Sequence, residues 1–187
     1  MKKIFVDIFL IILFGLEKFG FRIVPVPKVD PNTKTLEAFD LLKRIYTEAE
    51  KQGTRLWLTG SWAITGRNGF YIKNIRDIDF TMRTRIDEEN FGKLLLSLGL
   101  TKVREGPMGA NRYVDQKSGI EVDYGSITYP GVYYNMPLKE DEKVISDGFS
   151  YRVIPAESHL KVYKHILFCK GRSLKSDLIK IKILLKS

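Results

Sequence analysis

The chain has 187 residues, 44% hydrophobic and 28% charged, which excludes a disordered polymer and allows one domain with a sizeable core. A lone cysteine, Cys169, excludes a disulfide framework or cysteine-rich zinc site and fits a reducing cytoplasm, and two histidines, His159 and His165, argue against a histidine metal centre. The formal charge of +9 is uneven: from Lys161 onward eight basic residues accompany a single acid, Asp177, so this end either attracts polyanions or is a solvated lysine face.

Met1-Lys-Lys and the apolar run Ile4 to Leu16 have the outline of a signal peptide, but Asp7 interrupts the run and no small-residue cleavage site follows. The run is also shorter than the ~20 residues of a membrane span. Leu10, Leu13 and Phe14, with Val6 and Phe9, recur at helical spacing, and the other positions are nearly all apolar. Such a helix is expected to pack on the domain or on a second subunit, with contact to a membrane surface as the next reading. Pro25, Pro27 and Pro31 mark an extended connector, so residues 1–30 are set apart from a main domain over residues 31–187.

Thr35 to Gln52 reads as an amphipathic helix with the stripe Leu36, Phe39, Leu42, Ile45 and Tyr46, stopped by Gly53. Arg55 to Thr59 reads as a short strand. Gly60-Ser61 then opens a helix to about Arg67; Gly60 permits close backbone approach and Ser61 is a good cap or phosphate donor. Asp77 to Arg83 is a second strand. Side chains i and i+2 of a strand share a face, so Asp77 and Asp79 stand together while Ile78 enters the core. Two adjacent carboxylates repel unless a cation sits between them, and hard oxygen ligands of this kind suit Mg²⁺ with a substrate phosphate.

Asp87 to Leu98 is a surface helix closed by Gly99, followed by strands at Leu100 to Glu105, Arg112 to Asp115 and Gly119 to Ile127. In the last of these Ile120, Val122 and Tyr124 point one way, Glu121 and Asp123 the other. If it pairs beside the Asp77/Asp79 strand, a third carboxylate reaches the same place. Gly131 to Ser150 reads as loop, Tyr151 to Ile154 as a last strand, and Pro155 opens a helix to about Lys170. Gly171 separates it from a final helix with the stripe Leu174, Leu178, Ile181 and Leu185. The whole is an α+β chain.

Gly60-Ser-Trp-Ala-Ile, Arg67, Gly69, Lys73 and Asp77-Ile-Asp79, with the later Glu-Val-Asp123, resemble the nucleotidyltransferase signature of the DNA polymerase β superfamily. The likeness is greatest to small nucleotidyltransferases acting on aminoglycosides and lincosamides. It covers Leu58 to Phe80 clearly and extends weakly through Asp123 to the C-terminal helices. The resemblance implies a mixed β-sheet with flanking and C-terminal helices. It also implies transfer of a nucleoside monophosphate, AMP by preference, from a triphosphate such as ATP to an acceptor hydroxyl, with Mg²⁺ as cofactor.

In the roles so implied, Gly60 and Ser61 cradle phosphates, Asp77 and Asp79 bind metal, and Asp123, preferred to Glu121, completes the site and serves as base. Arg67, Lys73 and, from the C-terminal part, Lys164 neutralise the nucleotide. Trp62 follows the turn and is read as core, and neither histidine is given a catalytic duty. For the acceptor, Glu105, Asp115, Glu140, Asp141 and Glu142 offer an acidic patch for a cationic molecule, whereas the basic surface suits tRNA. A small hydroxylated acceptor or tRNA is therefore expected, in a cytoplasmic protein that is a homo-oligomer or touches a membrane surface through residues 4–16. The other class is a non-catalytic nucleotide- or RNA-binding module of the same fold.

Overall fold

The computed structural model describes residues 2–19, 24–105, 111–127, 136–169 and 174–186. The elements run α1 (Lys2–Lys18), α2 (Thr33–Lys51), β1 (Trp57–Leu58), α3 (Gly60–Asn68), β2 (Asp77–Met82), α4 (Arg85–Ser97), β3 (Leu100–Glu105), β4 (Asn111–Asp115), β5 (Ile120–Ser126), β6 (Lys143–Ser146), β7 (Phe149–Arg152), α5 (Ala156–Cys169) and α6 (Leu174–Leu184). A five-stranded sheet has the order β1-β2-β5-β4-β3. β2 and β5 are parallel and the other neighbours antiparallel, so the sheet is mixed as expected.

The parallel pair follows from burial. Ile78 and Val122, opposite one another, are both fully buried, as is Phe91 of α4. Phe91 sets its ring edge-on to Phe80 and Tyr124, at centroid distances of 5.3 and 4.9 Å. The helices α2 and α4 cover this apolar face. α2 starts where Asn32 Oδ1 accepts the amide of Thr35 at 2.9 Å, and it buries Phe39, Leu42, Ile45 and Tyr46. Leu36, expected in that stripe, is exposed at the first turn. α4 begins two residues earlier than expected because Thr84 and Asp87 form a reciprocal capping box.

A second core joins Ile64 of α3 to Tyr163 of α5, to Leu178, Ile179 and Ile181 of α6, and to Leu10 of α1, with Leu13 and Phe14 packed against it. α1 is thus a helix, but only one side is covered: Ile8, Phe9, Ile11, Ile12 and Leu16 are exposed. No helix among the described residues is long and apolar enough to cross a membrane. The α6 stripe is wider than the sequence pattern suggests. Leu178 and Ile181 are buried, but so are Ile179, Ile183 and Leu184, while Leu185 is exposed. Neighbours on several sides replace a single packing face.

The expected loop over 131–150 needs correction. Its first residues, to 135, lie outside the described residues, but β6 and β7 form an antiparallel hairpin turned by Asp147 (φ 45°) and Gly148 (φ 77°). Asp-Gly suits this turn because both residues tolerate positive φ. The last strand accordingly lies earlier than Tyr151–Ile154, and Val153 instead makes a parallel bridge to Leu58. Gly171, read as the break before the final helix, lies outside the described residues.

Candidate active site

The carboxylates gather on the sheet face opposite the α2/α4 core. Period-2 alternation sends Asp77 and Asp79 to this side of β2, and Glu121 and Asp123 to the same side of β5. The parallel register then sets Asp77 beside Glu121 and Asp79 beside Asp123. Both β5 acids therefore reach the row.

Two contacts hold the row to α3. The amide of Thr59 donates to the carbonyl of Asp79 at 2.9 Å, and the indole Nε1 of Trp62 donates to the carbonyl of Asp77 at 3.0 Å. Trp62 is fully buried and stacked on Phe39 at 5.4 Å, so it is core, as expected, and it also pins the strand that carries the aspartates. Gly60 adopts φ +57°, and a Cβ there would collide with Asp79 Oδ2. The aspartate thus lies against the first residue of the helix, where only glycine fits. Thr59, not Ser61, occupies the N-cap position and makes no side-chain cap bond. Ser61 lies buried in the first turn.

Asp79 keeps some accessible surface, yet protein crowds it on most sides. Burial raises its carboxyl to about 7, reinforced by the negative charges of Asp77 and Asp123, while Lys73 and Lys180 oppose the rise. A carboxylate so short of positive charge, beside a second one two residues away, fits a divalent cation held by oxygen ligands. Among the described residues no three acid, histidine or cysteine side chains converge as a metal cage. The two β5 acids are paired to the neighbouring strand. Arg112 of β4 forks onto Asp123, with Nε to Oδ1 and Nη2 to Oδ2 both at 2.7 Å, and reaches Glu121 with Nη1 at 3.0 Å. The register thus brings the expected third carboxylate, Asp123, beside Asp79, with Arg112 bound to its outer side.

Two of the expected cations have partners within the chain. Arg67 is almost buried and bonds Glu142 and, at 2.6 Å, the carbonyl of Ile154. It ties α3 to the segment entering α5 rather than standing free for a phosphate. Lys164 of α5 donates to Asp7 of α1 at 2.6 Å, which also explains why an acid interrupts the apolar run. Lys73 does belong to the row's surroundings. It lines a cleft of about 390 Å³ with Asn74, Arg76, Asp77, Gly119 and Glu121.

Lys180 of α6 was missed by the sequence reading. Its Nζ lies 4.6 Å over the Tyr163 ring and 3.9 Å from Asp177, and its charge is felt at both Asp77 and Asp79. Burial, followed by the repulsion of Lys73, lowers its pKa. The available signal was a lysine between Ile179 and Ile181, in a helix too apolar to leave it all in solvent. Arg112 had a signal too, as a basic residue in a strand next to one bearing two outward acids.

The expected acidic patch is largely consumed by internal pairs. Glu140 faces Arg55 at 2.8 Å and Arg83 at 3.4 Å, and Glu142 faces Arg67 and accepts the amide of Ala156. Glu105 pairs with Lys102 at 2.8 Å, and Asp115 accepts the amide of Ser118 at 3.0 Å. His159 is fully buried against Tyr163, and neither ring nitrogen has a hydrogen-bond partner among the described residues.

A family model for aminoglycoside-2''-adenylyltransferase matches residues 41–154, a span that contains the whole carboxylate row and the turn before α3. The chain belongs to this family. A search of curated proteins found no match. Among solved structures, the antibiotic-resistance factor ANT(2'')-Ia in complex with adenylyl-2''-tobramycin is similar with a TM-score of 0.66 at 16% identity, over 83% of this chain and 89% of that one. Its solution structure gives 0.65 at 17% identity, over 82% and 85%. The lincosamide antibiotic adenylyltransferase LnuA, lincomycin-bound, gives 0.55 at 19% identity, over 85% and 98%. Family and fold together make this chain a nucleotidyltransferase-type protein.

Proposed function

We propose that the protein transfers a nucleoside monophosphate, AMP by preference, from a nucleoside triphosphate to a hydroxyl of a small acceptor, releasing pyrophosphate with the help of Mg²⁺. The observation that carries this reading is the register of β2 on β5, which sets Asp79 beside Asp123 and presses Asp79 against the helix start at Gly60. Asp77 and Asp79 would hold the metal, with Asp123 as the third carboxylate. When bound, the ion would neutralise phosphate charge and make the attacking hydroxyl more acidic.

The remaining steps belong to the chain's own groups. The amides at the start of α3, from Gly60 and Ser61, favour an anion at the helix N-terminus. Lys73 and Lys180 add positive charge on the sides of the row where Asp79 feels them, countering the triphosphate. Asp123 would take the hydroxyl proton on a carboxylate oxygen, and Arg112 fixes the direction in which that carboxylate faces. Trp62 and Thr59 hold the β2 backbone still, so the reacting groups meet at a fixed separation. We place the reaction in the cytoplasm.

The fork on Asp123 also favours a second reading, a non-catalytic nucleotide- or RNA-binding module, because it occupies the proposed base. The two separate in one assay: each labelled triphosphate, Mg²⁺ and acceptor pools, with the double variant Asp77→Asn/Asp79→Asn as control. Pyrophosphate release should fall by about 100-fold or more in the variant. Equal release by both proteins with every pool, alongside retained triphosphate binding, would favour the module.

A further inference from the structure

Arg112 stands directly opposite Asp123 on β4, and the sheet order places β5 between Arg112 and the β2 aspartates. Three of its nitrogens meet the two β5 acids, at 2.7, 2.7 and 3.0 Å. A guanidinium forked on a carboxylate makes two parallel charge-assisted hydrogen bonds, which a point-charge ammonium cannot match. Its hydrogen bond to Asp123 keeps Arg112 firmly protonated. The far edge of the carboxylate row therefore already carries its cation.

We propose that Arg112 determines acceptor specificity: by occupying the Glu121–Asp123 edge it refuses acceptors that bind through ammonium groups, leaving hydroxyl compounds that are uncharged or anionic there. This rests on the transferase reading, since only then does the row face an acceptor. An incoming amine must displace the fork and then sit beside a guanidinium of like charge, which is a repulsive element built into the site. The rest of the chain acts in the same direction. Other acids, such as Glu140 and Glu142, are held by internal arginines, and a net charge of +9 repels polycations at long range.

The test is calorimetric titration of the full chain at low salt with tobramycin and with spermine, both polyamines. The wild type should show no saturable binding of either. Arg112→Gln should bind both at least about tenfold more tightly, with affinity falling as salt rises. Arg112→Lys keeps the charge and should stay closer to the wild type, and Arg112→Gln combined with Asp123→Asn should lose the gain. Equal binding by wild type and Arg112→Gln, or a gain that survives Asp123→Asn, would overturn the proposal. Should Arg112→Gln melt early, the wild type still decides: saturable tobramycin binding that Asp123→Asn abolishes would also overturn it. Pyrophosphate release by the wild type, measured separately with ATP, Mg²⁺ and pools of uncharged and anionic hydroxyl acceptors, separates the two ideas: its absence there counts against the transferase reading, while the polyamine contrast reports on Arg112.

Discussion

Replacing Gly60 by alanine tests how the phosphate turn and the carboxylate row are joined. Two costs are expected. At φ +57° a residue with a Cβ loses roughly 1–2 kcal/mol against glycine. The new methyl also meets the Asp79 carboxylate, with Cγ only 3.0 Å away, and overpacking of this kind costs about 1–3 kcal/mol. The total is about 2–5 kcal/mol of stability, unless Asp79 swings aside. That escape would misplace a reacting group and cost turnover instead, on the order of 100-fold for a shift of about 1 Å. Gly69→Ala is the internal control: its φ is +74°, and a Cβ there has nothing within 4 Å. It should lose only the backbone share, roughly 1–2 kcal/mol, with pyrophosphate release intact. Urea denaturation of both variants, followed by triphosphate turnover, measures the difference. If the two lose equal stability and Gly60→Ala turns over normally, Asp79 is not held against the helix start as described.

Two more outcomes follow from the two lysines, Lys180 and Lys164, and the buried histidine. Lys180→Met should raise the triphosphate KM about tenfold by removing charge beside Asp77 and Asp79, whereas Lys164→Met should leave KM unchanged and lower only thermal stability by loosening α1; steady-state kinetics and melting curves of the pair check this, and the reverse pattern would restore Lys164 to the site. His159 is held neutral, with its pKa lowered to about 3 by burial and then by the charges of Arg67 and Lys180. The unfolded chain takes up a proton near pH 6.5 that the native chain refuses, so the histidine's contribution is intact above pH 6.5 and is lost as pH falls toward 3. The loss is about 1.4 kcal/mol per pH unit, or about 2 kcal/mol at pH 5. His159→Gln should flatten the stability–pH curve by that amount in urea titrations at pH 7 and 5; parallel curves would contradict it.

Much of the site was legible because its signals are local. The alternation of Asp77-Ile-Asp79 and of Glu121-Val-Asp123 sorts acids from core residues within one strand, and Gly60 announces a backbone conformation that other residues resist. The hairpin was missed: Asp147-Gly148 carries a turn signal, but the surrounding polar residues masked the short strands on either side. Arg67 and Lys164 could not be placed from sequence, because a lone cation between elements carries no record of its partner. Glu142 lies 75 residues from Arg67, and Asp7 lies 157 residues from Lys164.

By itself, the sequence determined which side chains share a strand face, where the helix after the glycine turn begins, and hence that two pairs of acids exist. Strand periodicity and the glycine backbone are properties of neighbouring residues, so they can be read from order alone. Only the tertiary structure decided that β2 and β5 lie parallel with Asp79 beside Asp123, that Arg112 closes the far edge, and that Lys180 rather than Lys164 stands beside the row. Those outcomes depend on burial of Ile78 and Val122 under α2 and α4 and on the packing of α6 against α3, and packing brings together residues whose separation in the chain says nothing about their separation in space.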